Sequence, residues 1–149
     1  MTDPTPRSDS APRVRAARSA DLGALTRIHW SVRQEIGSQP TAGYITDTVD
    51  ERVLVAEIDD RVAGFVAVFE PESFVHHLYV DREHRGRGVG AALLSAATAH
   101  LSGRPWLKVD ASNTAGRAFY RRQGWEEDEA VRGVVVVRGP RALPPDASA

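Results

Sequence analysis

Residues 79–94 read YVDREHRGRGVGAALL. Tyr79 and Val80 end a β-type run, a charged loop follows, and Gly86, Gly88 and Gly90 lead into an Ala/Leu-rich segment of helical type. Arg82, Arg85 and Arg87 lie in the loop. The backbone N–H groups at a helix start are unpaired, and the helix dipole favours negative charge there. Glycines let the backbone approach an anion closely and adopt conformations that other residues resist. The stretch therefore predicts a site for a phosphate-bearing ligand.

The rest of the chain restricts what that ligand serves. Its 149 residues suit one domain, and 42% hydrophobic residues can furnish one core. A net charge of −1 offers no bulk attraction to nucleic acid or to an anionic membrane, so neither is an expected partner. Cysteine is absent, which excludes disulfides, thiolate metal sites and a cysteine nucleophile. No apolar run approaches the ~18 residues of a membrane span, and the N-terminus lacks the apolar core of a secretory signal. A cytoplasmic location is the expectation.

Residues 1–12 and 139–149 are rich in Pro, Ser, Ala and charge, and read as disordered tails around a folded unit at 13–138. Within it, Val14 to Ala17 is a short strand. Ser19 is a candidate helix cap, and Leu22, Leu25, Ile28, Val32 and Ile36 recur at helical spacing over 20–36. Residues 37–50 have room for a short helix. Strands are expected at Val53 to Ile58, Val62 to Glu70 and Phe74 to Val80, the first two joined at hairpin length. Gly64 inside the second suggests a bulge. A helix over 88–101, a strand at Trp106 to Asp110, a short helix capped by Ser112 or Asn113, and a strand at Val131 to Val137 complete the order, with room for a further short strand at Trp125. This is one α/β domain, with antiparallel hairpins first and parallel crossovers later.

Two phosphate-loop designs compete for the opening stretch. Gly86-Arg87-Gly88-Val89-Gly90-Ala91 matches G-x-G-x-x-A, and Asp110 lies 24 residues beyond Gly86, as in a dinucleotide fingerprint. That design starts its glycines directly after the strand, whereas Asp81 to Arg85 intervene here, and the upstream half is a hairpin. Arg85-x-x-Gly88-x-Gly90 instead resembles the R/Q-x-x-G-x-G/A signature of the GNAT acyltransferase superfamily. A second block, Asn113, Gly116, Arg117, Phe119, Tyr120, Gly124 and Trp125, resembles the family's N-x-x-A-R-x-F-Y-x-x-x-G-F, with Gly116 replacing Ala and Trp125 replacing Phe.

The resemblance implies a single GNAT-type domain, with a mixed central sheet of about six to seven strands flanked by about four helices. It also implies an acetyl-CoA-dependent N-acetyltransferase, acting by direct attack of a primary amine on the acyl donor and needing no metal. By the same resemblance, Leu78, Tyr79 and Val80 lie along the pantetheine arm, and a backbone N–H, that of Val80, polarises the thioester carbonyl. The pyrophosphate sits on the N–H groups of Arg85, Gly86, Arg87, Gly88, Val89, Gly90 and Ala91, with the side chain of Arg85 or Arg87 adding a charge-assisted bond. Asn113 matches a position that bonds the cofactor arm. Tyr120 matches the general acid that protonates the departing thiolate; on its own residues it reads as a packed aromatic beside Phe119.

The base stays open among His76, His77, Glu70, Glu72 and water. Strand alternation puts His76 with Leu78 and Val80 on one face, and His77 with Tyr79 on the other. His76 is a candidate because imidazole titrates near neutrality, and a water-mediated route stands level with it. His29, Trp30 and Tyr44 are candidate acceptor-pocket residues as well as core residues. Arg121 and Arg122 are candidates for the cofactor's 3′-phosphate or a solvated face, and the acidic run Glu126 to Glu129 reads as a solvated loop. The acceptor is not specified, a small molecule being slightly favoured over a protein. A homodimer through an edge Val134 to Val137 strand is open, and a non-catalytic acyl-CoA-binding sensor is the alternative function.

Overall fold

The computed structural model describes residues 10–37 and 43–140. The tail assignments at 1–9 and 141–149 lie outside the described residues. Strand β1 (Arg13–Ala16) is followed by α1 (Leu22–Glu35), the single turn α2 (Tyr44–Asp47), β2 (Arg52–Ile58), β3 (Arg61–Phe69) and β4 (Phe74–Val80). Then come α3 (Val89–Thr98), β5 (Trp106–Asp110), α4 (Thr114–Arg122), β6 (Glu126–Val131) and β7 (Val134–Arg138). The seven strands form one sheet in the order β1-β2-β3-β4-β5-β7-β6.

The hairpins follow from turn chemistry. Asp59 and Asp60 between β2 and β3, and Arg132 and Gly133 between β6 and β7, all have positive φ, as tight hairpin turns require. The β4–β5 junction is parallel, with α3 as its crossover; every other pairing is antiparallel. The expected series of parallel crossovers thus reduces to one, because β7 returns from a hairpin beside β5. β7 is internal, between β5 and β6, so its valines do not form the open edge on which a homodimer through them depends. The edge on that side is β6, and the acidic run expected as a loop forms it. Glu127 pairs with Arg117 and Asp128 with Arg138, both at 2.7 Å. A charged edge strand resists pairing with another chain.

The two faces of the sheet bury separate cores. Val89, Leu93, Leu94 and Ala97 of α3 cover Leu54, Ala56, Val66 and Val68 on one face. Leu25, Ile28 and Val32 of α1, with Tyr44 of α2, cover Val55, Phe65 and Ala67 on the other. Gly139, expected in the tail, is buried: its N–H donates to Pro105 O (2.8 Å), and its carbonyl accepts from Arg104 Nε (2.7 Å).

Ser19 does not cap α1; a 3-10 turn over Ser19–Asp21 precedes it, and Asp21 takes the structural role. Its carboxylate accepts two bonds from the Arg15 guanidinium (2.8 and 2.9 Å) and one from the Arg18 N–H (2.7 Å). These bonds, that with Arg15 foremost, outweigh burial and hold its pKa at about 2. A depressed carboxyl stabilises the fold above its unfolded value and loses that contribution as pH falls through its folded value. Asp21→Asn should cost about 2 kcal/mol at pH 7, shrinking towards zero between pH ~4 and ~2, as read by urea unfolding of both proteins across that range.

Candidate functional site

The site is built on β4. Ala67 of β3 pairs with His77, and Val68 pairs with Val75, so His76 is an extra residue in β4 without a partner in β3. The bulge changes which side chains share a face. His76 stacks on its neighbour His77, with ring centroids 3.9 Å apart, instead of lying with Leu78 and Val80. Val75, Leu78 and Val80 pack against the α3-side core, while Tyr79 packs against the α1-side core. The expected alternation of the two histidines is therefore overturned.

The bulged strand also leaves its neighbour. β4 and β5 share one paired position, Phe74 with Trp106. Beyond it, nothing among the described residues pairs with β4 on that edge. Asp81 N–H donates to Ala63 O of β3 at 2.8 Å. Successive strand amides point to opposite edges, so the N–H groups of Val80 and Leu78 face the open gap. Gly64 lets β3 approach β4 here: a Cβ on it would lie 2.6 Å from Tyr79 O.

The loop after β4 ends at Gly88, which caps α3 with φ +78 and offers no side chain to the first-turn amides. Gly86 has φ +78 as well. Gly90 is a packing position: a Cβ there would lie 3.2 Å from the Phe119 ring. Arg85 is committed to α1, its guanidinium bonded to both Glu35 carboxylate oxygens (2.5 and 2.9 Å) and to Val80 O (3.3 Å). Arg87, like Arg82, has no hydrogen bond or ion pair among the described residues, which leaves it available to an outside anion.

Asn113 caps α4, its Oδ1 accepting the Gly116 N–H at 2.9 Å. A Cβ on Gly116 would lie 2.5 Å from Asn113 Nδ2, so glycine there fits the side chain of the cap. Tyr120 packs edge-on to Phe119 (5.1 Å) and near Trp125 (6.0 Å) on the α3-side core. Burial, with the nearby Tyr79, pushes its phenol up to about 12, so it carries its proton at neutral pH.

On the other face, five polar side chains converge. His76 Nδ1 lies 2.7 Å from Glu51 Oε2, and His29 Nε2 lies 2.9 Å from Asp47 Oδ2. His77 Nε2 is 3.3 Å from the same Asp47 oxygen but off the hydrogen-bonding direction, so it is buried without a hydrogen-bond partner. Burial, reinforced by His76, lowers the His77 pKa to about 3 and keeps it neutral. Burial raises the Glu51 carboxyl despite His76. Burial would also raise Asp47, but the His29 bond and the surrounding imidazoles outweigh it, and its carboxyl lies below the usual range.

The sequence profile of the Acetyltransferase (GNAT) family matches residues 22–125. The chain belongs to this family. It is 31% identical over 99 residues to an "Uncharacterized N-acetyltransferase" of Methanocaldococcus jannaschii, a match covering 56% of this chain and 43% of that protein. It is 34% identical over 100 residues to a mycothiol acetyltransferase of Clavibacter sepedonicus, covering 58% of this chain and 33% of the relative. The match thus spans well under two thirds of these relatives' lengths. The PaiA N-acetyltransferase of Thermoplasma acidophilum, solved in complex with coenzyme A, superposes with a TM-score of 0.70 at 16% identity, over 87% of this chain and 99% of that one. An acetyltransferase of the GNAT family from Bacillus cereus gives 0.73 at 18% identity, over 90% and 100%.

In this GNAT domain Leu78, Tyr79, Val80, the loop and the start of α3 are contiguous, and Phe119 of α4 closes on Gly90 beside Val80. Of the base candidates, Glu70 and Glu72 lie on an exposed turn and His77 is buried, while His76 is part-exposed with an acid partner. Tyr44 and His29 are core residues, whereas Trp30 is half exposed. Sequence reasoning missed Glu51 and Asp47. They sit 25 and 30 residues from His76 and His77, and no local pattern links them. Gly64→Ala should destabilise the domain by about 1–3 kcal/mol in urea unfolding, because its Cβ meets backbone that cannot step aside.

Proposed function

We propose that this domain transfers an acetyl group from acetyl-CoA to a primary amine by direct attack. The observation carrying this reading is the continuity of an opened β4 edge with a helix start whose amides are uncapped. An extended amide-bearing arm fits the first by strand addition, and a pyrophosphate fits the second. The uncapped amides and the unpaired Arg87 are the features of this chain that suit the donor. The coenzyme A complex of the PaiA N-acetyltransferase supports the same donor.

Each residue then has a task. The N–H of Val80, aimed into the gap, stabilises charge developing on the thioester oxygen. The amine nitrogen forms the new C–N bond and gives its proton to His76, which Glu51 orients through Nδ1. The C–S bond breaks with its electron pair on sulfur, and the Tyr120 hydroxyl donates a hydrogen bond to that sulfur. A phenol near 12 does not surrender its proton fully to a thiolate of pKa ~8.5, so Tyr120 stabilises the departing thiolate while the amine's own proton balances the reaction. Asn113 acts first as the cap that sets the start of α4, on which Tyr120 stands.

The acceptor approaches from the α1 side, where Phe74 and Trp106 (ring centroids 4.5 Å apart) and Lys108 form an aromatic and cationic surface beside His76. A small amine carrying an anionic or aromatic group suits that surface better than a polycation.

Thiol release from acetyl-CoA with pooled amines tests the reading. Tyr120→Phe and His76→Gln should each lower kcat by about 10²-fold, with the acetyl-CoA Kd within ~3-fold of wild type. Arg87→Ala should instead weaken acetyl-CoA binding by about 10-fold. Tight acetyl-CoA binding without acceptor-dependent thiol release would identify a binding module instead of an enzyme.

A further inference from the structure

The histidine–carboxylate cluster behind His76 is more than acyl transfer requires. His29 comes from α1, Asp47 from α2 and His77 from β4, and one ligand atom from each lies within 4.8 Å of the others. Around an ion held at ~2.0–2.1 Å, adjacent ligand atoms stand ~2.9 Å apart at right angles and ~3.4 Å apart in a tetrahedron. The two distances to Asp47 Oδ2 are 2.9 Å from His29 Nε2 and 3.3 Å from His77 Nε2.

A second, independent feature points into the same space. His77 is 3% exposed, and its Nε2 has no hydrogen-bond partner. Buried polar atoms are ordinarily satisfied, so an unpartnered imidazole nitrogen aimed at a carboxylate already bonded to His29 calls for a group between them. A second proton on His77 is a poor solution in so buried a place, whereas a divalent ion uses the lone pair of a neutral imidazole. Two imidazoles and one carboxylate are the donor set of zinc-class and other first-row divalent sites with open positions. Asp47, a quarter exposed, leaves a route in from solvent.

We propose that His29 Nε2, Asp47 Oδ2 and His77 Nε2 form a site for one divalent transition-metal ion of the zinc class. Such an ion clips together α1, α2 and β4. A four-residue helix like α2 does not stand without tertiary anchors, and the ion adds one at its last residue. Glu51 and His76 stay outside the coordination set and keep their own pairing. The site lies beside the proposed acyl-transfer residues and does not depend on them, so its failure would leave that reading intact.

The test uses the full chain stripped with a chelator, then titrated calorimetrically with Zn²⁺ and spectroscopically with Co²⁺. One equivalent of each is expected, with visible Co²⁺ absorption of a nitrogen/oxygen site and a Zn²⁺-dependent rise in Tm. Asp47→Asn and His29→Gln should weaken binding by more than the ~10–100-fold typical of residues one layer out, while Glu51→Gln should stay within ~10-fold of wild type. X-ray absorption on the Zn²⁺-loaded wild type should show two imidazoles, which keeps the proposal testable if a variant fails to fold. Substoichiometric binding of both ions, unchanged affinity in Asp47→Asn, or loss in Glu51→Gln alone would overturn it.

Discussion

His76 adds one residue to β4, and much of the site depends on that insertion. A bulge reverses side-chain parity beyond it and increases local twist. Here the reversal keeps Val75, Leu78 and Val80 all in the α3-side core, which strict alternation would forbid. The rings of His76 and His77 come to share the opposite face. β4 also parts from β5 after the Phe74–Trp106 position, leaving the amides of Leu78 and Val80 facing the gap. The same stretch of β4 thus carries both an open edge and a stacked pair of histidines.

The neighbouring glycines are fitted to that strand in different ways. Gly64 removes a Cβ that would strike Tyr79 O, and so permits β3 to support β4 where it bends. Gly88 supplies the positive φ that turns the loop into α3. Gly90 makes room for Phe119, which brings α4 and its Tyr120 against the same region. A stretch that reads as one phosphate motif therefore divides into a turn position and a packing position. Arg85 similarly joins the loop to α1 through Glu35, while Arg87 is left unpaired among the described residues.

Much of this was legible in the sequence. Helical periodicity located α1 and α3, β-rich runs located β2 to β5, and the spacing of Arg85, Gly88 and Gly90 with the Asn113-to-Trp125 block pointed to the family. The misreadings of the acidic run, of β7 and of Gly139 share one cause, the long-range pairing of strands. The acidic run forms an edge strand because arginines 10 residues away in either direction, Arg117 and Arg138, neutralise Glu127 and Asp128. β7 is internal because β6 folds back over it. Gly139 is held by Pro105 and Arg104, across the sheet.

By itself the sequence determined the local pattern: which segments form helices and strands, and the spacing of Arg85, Gly88 and Gly90 that marks the family. These properties depend on neighbours within a few residues, so periodicity and spacing report them. The tertiary structure alone decided that Glu51 meets His76, that Asp47 meets both His29 and His77, and that His76 lies on the face of His77. These depend on a one-residue offset between β3 and β4 and on where α2 settles over the sheet. Both are set by packing between segments far apart in the chain, and no pattern within any one segment encodes them.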